Sequence, residues 1–140
     1  MIKPNKQQII QALRFLESDE KSIVKTAGPK KFIDKTYNGY IAAFGGTVVQ
    51  MGLFPAVMLY HNDKREGTCR RHITTAIFEL YKKNHQDITA NNLFEFLRPI
   101  AEPEQVYKVR SEIMQIALAL KMAIRSYELK ELEDAKNLSA

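Results

Sequence analysis

The strongest constraint in this chain is a run near its end, where Val106, Val109, Ile113, Ile116, Leu120, Ala123 and Tyr127 recur at alternating steps of three and four residues. An α-helix turns once in about 3.6 residues, so this spacing lays all seven side chains along one apolar stripe. A helix that opens near Pro103-Glu104 and continues to Tyr127 is long enough to cross a small domain, and the rest of the chain has to pack against it. Beyond Glu128 the sequence becomes charged, and residues from about 129 to 140 are expected to extend into solvent or fray.

The same spacing recurs upstream. Ile9, Ile10, Leu13 and Leu16 predict an amphipathic helix over Asn5 to Glu17, opened by Pro4-Asn5. A short turn is expected over Asp19 to Thr26 with Ile23 and Val24 inward, before Gly28-Pro29 interrupts. From Pro29 the pattern passes through Lys30, Lys31 and Lys35 into Tyr37, Tyr40, Ile41, Phe44, Val48 and Met51, a helix of about five turns. Gly52 ends it. A short, almost wholly apolar helix, Pro55 to His61, is expected to be buried on most sides. The loop from His61 to Gly67 is followed by a helix from Arg70-Arg71 to Lys82-Lys83-Asn84 with Ile73, Ala76, Ile77, Leu80 and Tyr81 inward, and then by one capped by Thr89 and stopped by Pro99. No segment reads better as a strand, so the predicted fold is all-α, a single compact domain over residues 1–140 with about six helices.

At 140 residues, folding should bury roughly two-thirds of the surface that the unfolded chain exposes. Cys69 stands alone, which excludes an internal disulfide and fits a reducing compartment. The N-terminal residues are too polar for a signal peptide, and no apolar run of about 18 residues occurs. A cytoplasmic location without membrane attachment is expected.

The sequence offers little for catalysis. His61, His72 and His85 are too far apart in sequence to share a helix face as metal ligands, Cys69 has no motif around it, and Asp34, Asp63 and Asp87 stand singly among polar residues. Gly45-Gly46-Thr47 lacks the Gly-Lys-Ser/Thr ending of a phosphate loop. The chain is expected to be neither an enzyme nor a binder of any metal, cofactor or small-molecule substrate.

What remains is charge. Of a net +5, residues 1–71 carry twelve Lys and Arg against six Asp and Glu, so the second half is slightly acidic. Lys30, Lys31 and Lys35 precede or open one helix, and Lys64, Arg65, Arg70 and Arg71 surround the central loop, with Lys82-Lys83 further on. Gathered on one side, the first seven would form a salt-sensitive surface for phosphates. Neither a base-stacking aromatic sheet nor a Gly-x-x-Gly loop supports sequence-specific reading. Gly39, Ala43 and Gly46 lie along one helix stripe, and with Gly52 they are candidates for close packing by a neighbouring helix or another subunit.

The stretch Tyr37-Asn38-Gly39-Tyr40-Ile41-Ala42-Ala43-Phe44-Gly45-Gly46, continuing through Gln50-Met51-Gly52-Leu53-Phe54-Pro55-Ala56-Val57-Met58-Leu59-Tyr60, resembles the small helical subunit of type III-B CRISPR effector (Cmr) complexes. Correspondence covers about residues 30 to 61, with Met51 where the family usually has Asn. The resemblance implies a non-catalytic structural subunit of an antiviral defence complex. Such a subunit stacks with copies of itself beside other effector subunits and lies along guide and target RNA, chiefly the target strand, with its basic face. A second reading open from the residues is a small helical regulator, dimeric through its last helix, that binds DNA or a protein.

Overall fold

The computed structural model of the protein describes residues 3–18 and 23–131. Its order is α1 (Lys6–Ser18), β1 (Val24–Ala27), β2 (Lys30–Asp34), α2 (Lys35–Met51), α3 (Leu53–His61), α4 (Arg71–Lys82), α5 (Leu93–Leu97), α6 (Pro103–Ile124) and β3 (Glu128–Lys130).

The long last helix organises the fold. α6 packs against α1, α2 and α4, and its buried residues Val109, Ile113, Ile116, Ala117, Ala119, Leu120, Ala123 and Ile124 cover more than one face. Three of these are alanines, which let neighbouring helices approach closely, while Ile113 and Leu120 are fully buried. Each large apolar side chain withdrawn from water stabilises by about 1.5–3 kcal/mol. Leu16, Phe44, Val48, Ile73 and Ile77 complete this interior from the surrounding helices.

α1 starts with a reciprocal cap. The Asn5 side chain accepts from Gln8 N–H at 2.8 Å, and the Gln8 side chain accepts from Asn5 N–H at 2.9 Å. Gln8 is buried and donates to Gln115 Oε1 on α6, so the cap also anchors α1 to the central helix.

The all-α expectation is corrected by a three-stranded mixed sheet in the order β1-β2-β3. β1 and β2 form an antiparallel hairpin pairing Val24 with Ile33 and Ala27 with Lys30. Gly28-Pro29, read as a simple break, is its two-residue turn. Gly28 has a φ of 64°, and the positive φ at the first turn position matches the twist of the flanking strands. Lys30 and Lys31 therefore belong to a strand, and α2 begins only at Lys35.

β3 is the second correction. Helix α6 ends at Ile124, and Glu128–Lys130 then pairs in parallel with Phe32–Asp34, where the sequence predicted helix to Tyr127 and a frayed end. A parallel partner has to arrive by a long crossover, and here that crossover is the helical body. Residues 132–140, the rest of the predicted frayed end, lie outside the described residues.

Helix α3 differs as well. Leu53, Ala56, Val57 and Tyr60 face inward, but Phe54, Met58 and Leu59 are exposed along with Val49 and Met51 at the end of α2. α3 is half-buried where its composition predicted burial on most sides. Gly52, at φ 92°, makes the bend between the two helices, and its N–H is satisfied by Val48 O at 2.8 Å.

Candidate nucleic-acid interface

The loop between α3 and α4 is built around Asp63. Its carboxylate accepts from Arg65 Nε at 2.9 Å, from Arg65 Nη2 at 2.8 Å and from Arg70 N–H at 2.9 Å. The Arg70 guanidinium lies 3.6 Å away. One carboxylate thus serves two cations and two backbone donors, the second being Arg65 N–H at 3.4 Å, leaving a positive excess. The Asp63 side chain is only 9% exposed, against 57% for Arg65 and 40% for Arg70. The hydrogen bonds from Arg65's side chain hold Asp63 well below the usual carboxylate range, helped by backbone N–H groups of Arg70 and Arg65 and opposed by partial burial.

Tyr40 on α2 fixes both arginines from the other side. Its hydroxyl accepts from Arg65 Nη2 at 2.8 Å, and the Arg70 guanidinium carbon sits 4.7 Å from the centre of its ring. Tyr60 Oη donates to Tyr40 O at 2.6 Å, tying the backbone of α2 to α3.

Asp34, buried at the end of β2, accepts from Thr36 N–H at 3.0 Å and from Thr68 Oγ1 at 2.9 Å. It caps α2 and ties the basic loop to the sheet in one step. Beneath the loop, Tyr37 Oη and His72 Nδ1 share a hydrogen bond, and Cys69 is buried. Burial foremost, then the nearby Cys69 thiol, pushes the Tyr37 hydroxyl up to about 12.

The seven predicted basic residues fall into two groups. Lys64, Arg65, Arg70 and Arg71 share the α3–α4 loop and its exit. Lys30 and Lys31 sit on the hairpin, with Lys31 Nζ 3.4 Å from Glu17 O at the end of α1. Lys35 follows Asp34 directly and pairs with Glu131 at 2.7 Å. Arg71 Nη2 lies 3.5 Å from His61 Nε2. Burial foremost, then Arg71 and Lys64 close by, lowers the His61 pKa. His61 stacks on Phe94, with centroids 5.0 Å apart, and Phe94 stacks on Phe54 at 5.2 Å.

Sequence reading missed the organisers: Asp63, taken as a stray carboxylate, and Tyr40, taken as a core aromatic. The text Asp63-x-Arg65 in a polar loop was the available signal, since Asp folds back onto nearby backbone N–H groups. Among the packing candidates, a Cβ added at Gly39 or Gly46 would meet nothing within 4 Å, whereas one at Gly45 would meet Met114 Cε at 3.5 Å. Ala43 is exposed, and Gly52 serves the helix bend. The stripe from Gly39 to Gly46 therefore faces away from the helices of its own chain among the described residues.

His61, His72 and His85 each have a separate partnership, His85 with Glu112 and a stacked Tyr81. Among the described residues no group of three His, Cys, Asp or Glu is placed to hold a metal ion, and no helix is long and apolar enough to cross a membrane. Compared with known proteins, the chain matches no family model, no curated protein and no solved structure.

Proposed function

We propose that the protein is a non-catalytic small subunit of a type III-B CRISPR effector ribonucleoprotein, cytoplasmic, that stacks beside other subunits and copies of itself and lays its basic loop along guide and target RNA. The observation that carries this reading is the pair Arg65 and Arg70, held at the surface by one carboxylate and one tyrosine. Guanidinium groups held in place lose less conformational entropy when they meet a phosphate than free side chains do, and Arg65 keeps its Nη1 end for one, since Nε and Nη2 are engaged by Asp63 and Tyr40. Lys64 and Arg71 add charge to the same loop. The exposed apolar residues Val49, Met51, Phe54, Met58 and Leu59, close in sequence across the α2–α3 bend, supply a surface of the kind that contacts between subunits cover.

The regulator reading, dimeric through its last helix, has less behind it. α6 packs its buried residues on α1, α2 and α4, although Val106, Tyr107 and Met122 on it stay exposed. The effector-subunit reading is tested by co-purification of the tagged chain with its neighbouring gene products, together with RNA binding across salt concentrations. Co-purification with RNA and effector subunits, and a charge-dependent RNA affinity, support it. A free chain indifferent to RNA at low salt removes it.

A further inference from the structure

Where α3, α4 and α5 meet, a small, partly open pocket lies beside Arg71 and His61 and is lined further by Asn91 and Asn92. Its volume is about 50 Å³, room for roughly four waters. That space suits one tetrahedral oxyanion.

The polar groups suit an anion. Arg71 makes no ion pair among the described residues, and its Nη2 is steadied by His61 Nε2 at 3.5 Å. Asn92 Oδ1 accepts from Glu95 N–H at 2.8 Å as the cap of α5, which leaves the NH2 end of that amide as a donor. Asn91 brings a second amide. Glu79, the one carboxylate lining the pocket, is held by Lys82 at 2.8 Å. The hydroxyls of Thr74 and Thr75 are turned back onto Arg71 O at 3.1 and 3.0 Å and do not compete for the guanidinium.

We infer that this pocket binds a single phosphate group, clasped between the Arg71 guanidinium and the side-chain amides of Asn91 and Asn92. The source we assign is a backbone phosphate of RNA, an assignment that rests on the function proposed above.

Two arms on the full chain separate the pocket from the RNA reading. In the first, inorganic phosphate is titrated at constant ionic strength against chloride and followed by amide NMR. Saturable shifts at Arg71, Asn91 and Asn92 are expected. Asn92→Asp keeps the cap, because Asp caps a helix as well as Asn does, yet it replaces the donor with a carboxylate. This variant should keep the wild-type melting temperature and lose the shifts, and Arg71→Gln should lose them too. Absence of saturable shifts in the wild type, or their survival in Asn92→Asp, overturns the pocket.

In the second arm, single-stranded RNA binding is measured across salt. Asn92→Asp is expected to flatten the dependence of log affinity on log salt by about 0.7, one phosphate contact. If phosphate binding is lost while the RNA slope is unchanged, the pocket stands as a site for free phosphate and RNA is removed as its source. RNA binding that depends on Arg65 and Arg70, with no phosphate shifts, keeps the RNA reading and sinks the pocket.

Discussion

Replacing Asp63 by alanine removes the acceptor that shapes the basic loop, and its cost follows from what it leaves behind. The N–H of Arg70, held at 2.9 Å, would lose its partner just before α4 begins. Losing a side-chain acceptor of this kind costs about 1–2 kcal/mol. The contacts to the exposed guanidiniums add little, since water screens them. For a domain of this size the melting temperature should fall by about 3–8 °C. The pH dependence has a definite sign. The Asp63 carboxyl titrates below its usual range in the folded protein, so its contribution is complete above the unfolded value, near 4, and is lost as pH falls through the folded one. Thermal melts of Asp63→Ala and wild type should therefore differ in full at pH 7 and begin to converge only as pH falls below about 4. Melting curves that coincide at pH 7, or a gap that widens on acidification, would refute the role given to Asp63.

Three further outcomes are expected. Gly28 at φ 64° has open space around it, so Gly28→Ala should destabilise through backbone strain alone, by about 1–2 kcal/mol. Gly39→Ala and Gly46→Ala, also in open space but within α2, should stabilise the isolated chain by about 0.5–1 kcal/mol each; denaturant midpoints measure all three. Burial first, then Cys69 for Tyr37 and Glu112 for Tyr81, pushes both hydroxyls up to about 12. A spectrophotometric titration should thus show at least two of the six tyrosines ionising late. Because these values are raised, their contribution to stability is complete below about pH 10 and is lost as pH rises through 12.

The helices were legible because apolar spacing of three and four survives in one sequence without any partner. Val109, Ile113, Ile116 and Leu120 give α6 almost unaided, and Ile73, Ile77 and Leu80 give α4. The sheet was hidden for two different reasons. Its hairpin is short, and Gly28-Pro29 signals equally a break or a turn; the apolar pair Phe32-Ile33 next to Lys30-Lys31 fits the start of a helix as easily as the end of a strand. β3, Glu128–Lys130, has no strand pattern of its own and exists because α6 delivers it beside β2. The cap of α5 was misplaced by three residues, from Thr89 to Asn92, since both residue types cap well. For the loop, charge alone marked Arg65, Arg70 and Arg71 correctly as neighbours, but the carboxylate and the tyrosine that hold two of them are brought together only by tertiary structure.

The central claim is that the α3–α4 loop presents its cations to a polyanion. Its most direct test is the affinity of the full chain for a labelled guide–target RNA duplex across salt, for the wild type and for a variant with Lys64, Arg65, Arg70 and Arg71 all changed to Glu. Binding should weaken linearly in log–log form for the wild type, by about 0.7–0.9 per phosphate contact, and the variant should lose nearly all of that dependence while keeping the helical signal of a folded chain. Equal slopes for the two folded proteins would contradict the claim.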